Sequence, residues 1–494
     1  MGNRIQNNTR GDSVVGSLLW RFFERVGGQV INFLVGVVLA RLISPGEYAS
    51  IAQVTVFVTL ATTLVTNGFY AALVQKREAG EEDFSSVLWF AALLSLLFYL
   101  AAFLAAPAVA AFYQMPVLCP VLRVLMLQVP LGVVYMVQTA YVARNMLFRR
   151  FFFSTLAGIL VSGLVGIALA RCGLGVWALV GVNLSGTLTN TLVLWFTVDW
   201  RPRLLFRWAR VKSLLGFGWK CLAASLAYNF YTQLPTLIVG KAFDETSLSY
   251  YNKGTTIPYS LQSCVLGTLD SVLLSAAARE QEHREEVKRL TRRAIRTGLY
   301  LLCPMMTGLA LVARPLIELL LTEKWLPSVP YFRIACLAYG LNIVYAVFDH
   351  VIQAVGRSDV YLRLHLSRLA EMALLCLGAV KAGLTAVALC VYPLFMIFND
   401  LVAALLCRKY LDYRLGELWR DVAPALGLTA AMALPVLALG RLSLGCWGLL
   451  ALQCAAGAGI YVLLSWLFRV ESFRYLLGEL RRRLSLLTGG QREK

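Results

Sequence analysis

Apolar residues occur along the whole chain in long runs that are separated by short polar segments. A run of about 20 apolar residues, when helical, is long enough to cross the hydrocarbon core of a membrane. We count about fourteen such runs, which predicts an all-α integral membrane protein. The predicted spans cover residues 15–40, 49–69, 85–106, 118–140, 152–170, 176–197, 214–240, 252–277, 296–321, 331–353, 362–380, 384–406, 422–440 and 446–468.

Composition supports this interpretation and excludes an ordinary soluble enzyme. Hydrophobic residues make up 59% of the 494 residues and charged residues only 15%, and the mean hydropathy is +0.68. These values are typical of multi-pass membrane proteins. The N-terminal residues are polar and lack the apolar core of a signal peptide, so we expect no cleaved leader.

The net charge of +19 is distributed unevenly along the chain. Lys and Arg concentrate in alternate loops and at both ends, and cytoplasmic loops retain such residues, so we expect both termini in the cytoplasm. The charge therefore requires no nucleic acid partner, although it favours contact with anionic phospholipid. The basic stretches Arg201 to Leu215 and Glu471 to Leu487 are also amphipathic; each is either an interfacial helix or a solvated segment.

The chain resembles itself when its two halves are aligned. Pro120 and Arg123 align with Pro330 and Arg333, and the first predicted span aligns with the seventh. This register predicts two six-helix lobes related by a pseudo-two-fold axis along the membrane normal, plus two C-terminal helices, which is a transporter architecture. The predicted segments are a first lobe at 1–200, a basic cytoplasmic interfacial linker at 201–213, a second lobe at 214–410, the last two helices at 411–468 and a basic cytoplasmic tail at 469–494.

The first two predicted helices of each lobe carry polar residues at helical spacing, which marks a face turned away from lipid. Charges within a span are costly, so we expect them to face protein or a water-filled cavity. The candidate substrate-binding residues are Arg21, Arg25, Thr59, Lys220, Asn252 and Tyr259, and the candidate coupling or ion-pairing residues are Glu24 and Asp270.

Arg21 and Arg25 are one helical turn apart, so they present two planar donor groups on one face. This arrangement suits a phosphate or diphosphate, and Lys220 adds a third cation. Glu24 and Asp270 could instead neutralise these cations and change protonation when the pairs break. Two other interpretations stay open: ion pairs that only fix helix packing, and hydroxyl groups that only join helices.

We find no sequence motif for catalysis, for a metal or for a cofactor. The chain lacks nucleotide-binding, nucleophile-elbow and zinc-protease motifs, and its three histidines are far apart in sequence. The eleven cysteines are single residues within apolar segments, which is typical of buried structural thiols. The sequence therefore predicts a secondary transporter and not an enzyme.

Several ordered segments carry a family resemblance: the first span through Tyr48, GFYAALVQK (68–76), YYNKG (250–254), LLLTEKWLPSVPYFRI (319–334) and AVGRSD (354–359). They resemble the polysaccharide exporter and flippase family, in its lipopolysaccharide, colanic acid and teichuronic acid exporter branch. The resemblance implies a bacterial cytoplasmic membrane protein that moves an undecaprenyl-diphosphate-linked oligosaccharide by alternating access. It also implies that Arg21 and Arg25 hold the diphosphate, and that a polysaccharide polymerase and glycosyltransferases are partners.

Two other functions remain to be separated from this one. A multidrug or cation antiporter would share the fold, but an acidic cavity would suit its cargo better than a cationic one. A membrane glycosyltransferase or polymerase would need a catalytic carboxylate or a large outer loop, and the predicted outer loops are short.

Overall fold

The computed structural model of the chain describes residues 14–76, 79–145, 147–279, 284–354, 357–442, 445–475 and 477–478. These residues form α-helices joined by short turns, with no strand among them. The helices are α1 (Val14–Leu42), α2 (Pro45–Gln75), α3 (Glu81–Tyr113), α4 (Leu118–Leu125), α5 (Gln128–Arg144), α6 (Phe148–Arg171), α7 (Val176–Thr197), α8 (Trp208–Ala242), α9 (Glu245–Arg279), α10 (Arg284–Leu311), α11 (Ala313–Leu321), α12 (Val329–Leu341), α13 (Val344–Ala354), α14 (Ser358–Ala379), α15 (Leu384–Leu389), α16 (Phe395–Leu411), α17 (Leu415–Leu439) and α18 (Cys446–Leu467).

Within the described residues, nine helical stretches are long and apolar enough to cross a membrane, or ten if the bent pair α12 and α13 forms one span. Helix α3 illustrates their surface: Leu93 is 59% exposed and Leu104 is 69% exposed on its outer side. Large apolar side chains that face outwards suit lipid and not water. The predicted all-α integral membrane protein is therefore confirmed, whereas the number fourteen stays a prediction.

Helices α1, α8, α9 and α14 are not among those nine stretches. Three of them correspond to the predicted spans that carry polar stripes, at 15–40, 214–240 and 252–277. Helices α8 and α9 each contain 35 residues. They are the longest helices in the part of the chain that the structure describes.

Local sequence explains where several helices begin. The Glu47 side chain accepts a hydrogen bond of 2.9 Å from the backbone N–H of Ser44, and Pro45 occupies the first turn of α2, as is common at helix starts. Before α9, the Ser247 hydroxyl and backbone N–H and the Thr246 hydroxyl donate to the Asp244 carboxylate. Hydrogen bonds from Ser247 and Thr246 hold the pKa of Asp244 below its usual range. Both caps satisfy the free groups at a helix start.

The basic segment before α8 is not helical in its first part. Residues 201–207 form no helix, and α8 begins only at Trp208. The backbone N–H groups of Arg203 and Arg207 donate to the hydroxyls of Ser85 and Ser86 on α3, at 3.1 and 3.0 Å. Residues 208–215 belong to α8, so the placement of Arg201 to Leu215 at the membrane interface stays a prediction.

The chain groups into two compact units. The first contains residues 1–252 and 362–380, and the second contains 253–361 and 381–494. Within the first unit, α6 packs on α7 and α1, and α2 packs on α8. A continuous apolar core runs from Leu39 to Leu215 through α2 to α7. The predicted lobe boundaries and the predicted pseudo-symmetry stay predictions.

Within the second unit, α10 packs on α12 and α17. Helices α12 and α13 meet at a bend of 50°, where the Asp400 carboxylate accepts a hydrogen bond of 2.9 Å from the backbone N–H of Tyr345. This bond satisfies a donor that the bend removes from the helical ladder. Cys390–Leu394 forms a π-helical turn around Pro393, between α15 and α16, so the helix passes the proline without ending.

A close helix contact in the second unit occurs at Gly254 on α9. A Cβ atom built on Gly254 would lie 2.8 Å from the carbonyl oxygen of Ser328 and 3.0 Å from the backbone N of Phe332. No side chain fits in this space, so α9 and the start of α12 touch backbone to backbone.

Candidate functional site

The predicted site residues lie on four helices. Arg21, Glu24 and Arg25 lie on α1, Lys220 on α8 and Asp270 on α9, but their side chains lie outside the described residues. The other three predicted residues are described: Thr59 on α2, and Asn252 and Tyr259 on α9. The contacts of these three residues show which polar positions on neighbouring helices lie next to each other.

An amide joins helices α2 and α8 near the beginning of α2 and the end of α8. The Gln53 side chain, 1% exposed, donates a hydrogen bond of 3.1 Å to the carbonyl oxygen of Gly240. A Cβ atom on Gly240 would lie only 2.3 Å from the Gln53 amide nitrogen. Glycine is therefore required here for the amide to reach the α8 backbone.

A second contact joins the same helices further along. The Asn229 amide donates to the Thr63 hydroxyl at 3.1 Å and also to the carbonyl oxygen of Ser225 at 3.0 Å. Positions 53 and 63 on α2 thus face 240 and 229 on α8, so the two helices are antiparallel. Ten residues of helix cover about 15 Å, which is half the thickness of a typical hydrocarbon core.

The beginning of helix α9 forms a third polar contact with α8. The Thr236 hydroxyl on α8 donates to the side-chain oxygen of Asn252 at 3.1 Å. We use the name polar seam for Gln53, Thr63, Asn229, Thr236 and Asn252. The seam consists of neutral groups, lies within the first unit, and contains one predicted site residue, Asn252.

The threonines of α2 fall into two classes. The hydroxyls of Thr55, Thr63 and Thr66 donate to the carbonyl oxygen four residues earlier, at 2.7, 2.8 and 2.7 Å. Such bonds make a hydroxyl compatible with an apolar interior. The half-buried hydroxyls of Thr59 and Thr62 have no hydrogen-bond partner among the described residues, so these two can accept one from a ligand.

Tyr259 belongs to the second unit. Its ring packs 6.1 Å from Tyr339, which in turn lies 5.6 Å from Tyr392, all within the second unit. The half-exposed phenol remains a candidate for contact with sugar, because aromatic rings present an apolar face and a polar tip.

Helix α14 carries polar residues that the sequence analysis did not select. His365 is buried and stacks on Tyr231 of α8 at 6.0 Å with nearly parallel rings, and Tyr228 packs edge-on against it. Arg368, one turn further, is only 2% exposed. A buried arginine inside a span is costly and usually functional. Its spacing of three residues from Glu371 is the signal that could have revealed it.

A second polar cluster lies in the second unit and is charged. The Asp421 side chain, 0% exposed, accepts hydrogen bonds from Arg292 at 2.8 and 3.0 Å and from Arg296 at 2.7 Å. The Tyr413 hydroxyl donates to the same carboxylate at 2.6 Å. Burial and this bond raise the pKa of Tyr413. We use the name Asp421 network for these four residues; it joins α10 to α17.

Comparison with known proteins gives the family. Residues 38–330, more than half of the chain, match the family model described as polysaccharide biosynthesis protein. The chain belongs to this family. It is 25% identical over 345 residues to the succinoglycan biosynthesis transport protein ExoT of Rhizobium meliloti (strain 1021), covering 69% of each chain. It is 23% identical over 428 residues to the teichuronic acid biosynthesis protein TuaB of Bacillus subtilis (strain 168), covering 82% of this chain and 85% of the relative.

A similar solved structure is that of the lipid II flippase MurJ in an inward closed conformation. It matches with a TM-score of 0.74 at 14% identity, covering 94% of this chain and 100% of the other. At this identity the likeness shows the fold alone. The family member described here is thus a multi-pass membrane protein with a flippase-type helical fold.

Proposed function

We propose that the protein is a flippase that moves an undecaprenyl-diphosphate-linked oligosaccharide across the bacterial cytoplasmic membrane for surface polysaccharide biosynthesis. It acts as a transporter and not as an enzyme. The observation that carries the proposal is the pair of half-buried hydroxyls on α2, Thr59 and Thr62, beside a neutral polar seam inside a membrane protein of a polysaccharide biosynthesis family.

The ligand's two chemical parts need different groups. A sugar presents many hydroxyls that exchange hydrogen bonds with neutral side chains, and Thr59, Asn252 and Tyr259 offer hydroxyl and amide groups of this kind. A diphosphate carries negative charge, for which the α1 positions Arg21 and Arg25, with Lys220 on α8, supply cations. The lipid tail stays in the bilayer.

In the proposed mechanism the two lobes alternate between inward-facing and outward-facing states, with both termini in the cytoplasm. Breaking a pair between an embedded acid and a cation changes the cost of its charge. Glu24 and Asp270 are the candidate groups for such coupling. A neutral seam suits this movement, because single hydrogen bonds between membrane helices contribute only about 0.6 kcal/mol on average.

The test uses the full chain in vesicles and a fluorescent polyprenyl-diphosphate disaccharide as the probe. Arg25→Gln is expected to lower the rate of probe translocation by tenfold or more, since charge-assisted hydrogen bonds to phosphate contribute about 1.5 to 3 kcal/mol. Arg25→Lys keeps the charge and is expected to retain part of the rate.

Thr59→Val is the matched test of sugar contact. It should slow translocation of the disaccharide probe and leave translocation of a polyprenyl diphosphate without sugar unaffected.

Equal rates for wild type and Arg25→Gln at equal protein level would exclude diphosphate capture by α1. Transport of a lipophilic cation in place of the disaccharide probe would favour the antiporter function instead.

A further inference from the structure

A groove on the second unit lies where α17 begins and α18 ends. It is a cavity of about 600 Å³. One wall is apolar, and the rim carries Arg420 of α17 and Arg469, which follows the end of α18. The α17 groove is defined by Pro424, Gly427, Leu428, Ala431, Phe468 and Val470 on its apolar wall, with Arg420 and Arg469 on its rim.

The shape of the groove follows from small residues on α17. Gly427 has no side chain, and a Cβ atom built there would meet nothing within 4 Å. Ala431 lies one turn further along the same face. Pro424 has no N–H to bond the carbonyl of Arg420, which leaves that carbonyl without its usual helical donor. The wall is therefore open and apolar along Gly427 and Ala431, and it is polar at the end where the Arg420 carbonyl lies.

The charge of the groove is positive and unneutralised. Arg420 and Arg469 are exposed, and neither has an ion-pair or hydrogen-bond partner for its side chain in the described part of the chain. The two acids that line the groove are already paired: Asp421 with Arg292 and Arg296, and Glu471 with Arg296. Among the described residues, no carboxylate at the rim is thus available to the two arginines.

The backbone holds one of these arginines in a special conformation. Arg469 has φ +50°, in the left-handed region that residues other than glycine seldom adopt. It follows the end of α18 at Leu467, and its N–H bonds to the carbonyl of Trp466. This turn places Arg469 on the groove that Arg420 also lines.

Exposed aromatic residues indicate the position of the groove along the membrane normal. Trp419 beside Arg420 is 63% exposed, and Trp466 near Arg469 is 67% exposed. Tryptophan is enriched at the level of lipid headgroups, where its ring is partly in hydrocarbon and its N–H reaches water. The arginine rim therefore lies at headgroup level and the apolar wall at acyl-chain level.

We propose that the α17 groove binds one anionic phospholipid, with its phosphate at Arg420 and Arg469 and one acyl chain along Gly427 and Ala431. Two planar guanidinium groups suit a phosphate, which accepts paired hydrogen bonds. A free phosphate would leave the apolar wall exposed, whereas a phospholipid covers both parts. The proposed ligand is a membrane phospholipid and not the transported substrate, so the proposal does not depend on the transported sugar.

The experiment measures how much phosphatidylglycerol remains bound to the purified full chain in detergent, by native mass spectrometry and by lipid extraction. The wild-type chain is expected to retain phosphatidylglycerol in preference to phosphatidylcholine. Arg420→Gln and Arg469→Gln are each expected to lower retention about fivefold, and the double variant roughly 25-fold. Arg441→Gln removes the same charge at the opposite end of α17 and should leave retention unchanged.

Gly427→Leu tests the apolar wall independently of charge. It fills the groove while both arginines stay, and leucine is a better helix former than glycine, so the helix is retained. We expect reduced retention of phosphatidylglycerol and an unchanged thermal midpoint in lipid-free detergent. Unchanged retention in Gly427→Leu or in the double arginine variant would overturn the proposal. Displacement of phosphatidylglycerol by inorganic phosphate at an equal concentration would also overturn the proposal. Displacement by undecaprenyl phosphate at a tenfold lower concentration would do the same.

Discussion

The polar seam and the Asp421 network both join helices through polar side chains, but they do so with different chemistry. Four of the five seam residues meet in two side-chain pairs without charge, Thr63 with Asn229 and Thr236 with Asn252. The Asp421 network pairs a fully buried carboxylate with two arginines and a tyrosine. Neutral single bonds between membrane helices are weak, whereas removal of one partner from a buried ion pair is costly. The seam therefore permits rearrangement, and the network fixes α10 to α17.

The largest expected effect comes from breaking the network. Asp421→Ala removes the buried carboxylate that Arg292 and Arg296 share and leaves them only the more exposed Glu417 and Glu471. Loss of one partner of a buried pair costs about 3 to 5 kcal/mol. We expect a large drop in the free energy of unfolding, measured by thermal unfolding of the purified chain in detergent.

Glu471→Gln is the control for this variant. Glu471 also pairs with Arg296, but its side chain is 81% exposed, and exposed pairs contribute about 0 to 1 kcal/mol. Similar thermal midpoints for Asp421→Ala and wild type would show that the network does not fix the helices.

An intermediate effect is expected from steric change in the seam. Gly240→Ala places a Cβ atom 2.3 Å from the Gln53 amide, so that amide must move and its hydrogen bond to α8 is lost. Overpacking of this kind costs about 1 to 3 kcal/mol. We expect slower translocation of the disaccharide probe together with a lower thermal midpoint.

Gly216→Ala on the same helix is the matched control, because nothing lies within 4 Å of the added carbon. It should match the wild type or exceed it in thermal midpoint, since alanine favours helix over glycine. If both glycine variants behave alike, close approach at Gly240 is not what positions α8 on α2.

The smallest effect is expected for the single neutral bond between Asn229 and Thr63. A double-mutant cycle with Asn229→Ala and Thr63→Val is expected to give a coupling free energy of about 0.6 kcal/mol. The measurement is the free energy of unfolding of the wild type, both single variants and the double variant. A coupling as large as that of Asp421 with Arg292 would remove the distinction between the two regions.

The sequence predicted the class of fold and several polar helices because these depend on composition and periodicity along one helix. Long apolar runs have one common outcome, a helix in lipid. The stripe on α2 was found in the same way, and Thr59 proved to be half-buried with a hydroxyl that has no partner among the described residues.

Pairings between helices could not be predicted because they depend on register in three dimensions. Arg292 and Asp421 are 129 residues apart, and Asn229 is separated from Thr63 by 166 residues. No spacing rule connects them. Arg368 was overlooked for a different reason: it lies inside a run that was counted simply as a span, and its spacing of three residues from Glu371 was not used. The structure shows that it is only 2% exposed.

The backbone contact at Gly254 gives a meaning to one sequence motif. The glycine of YYNKG (250–254) is required because Ser328 and Phe332 leave no room for a side chain. Any relative that packs these helices equally closely needs the same residue, whatever molecule it carries. A match at this glycine is therefore inherited with the architecture and carries no information about cargo. Cargo has to be sought at positions such as Thr59, whose hydroxyl has no hydrogen-bond partner among the described residues.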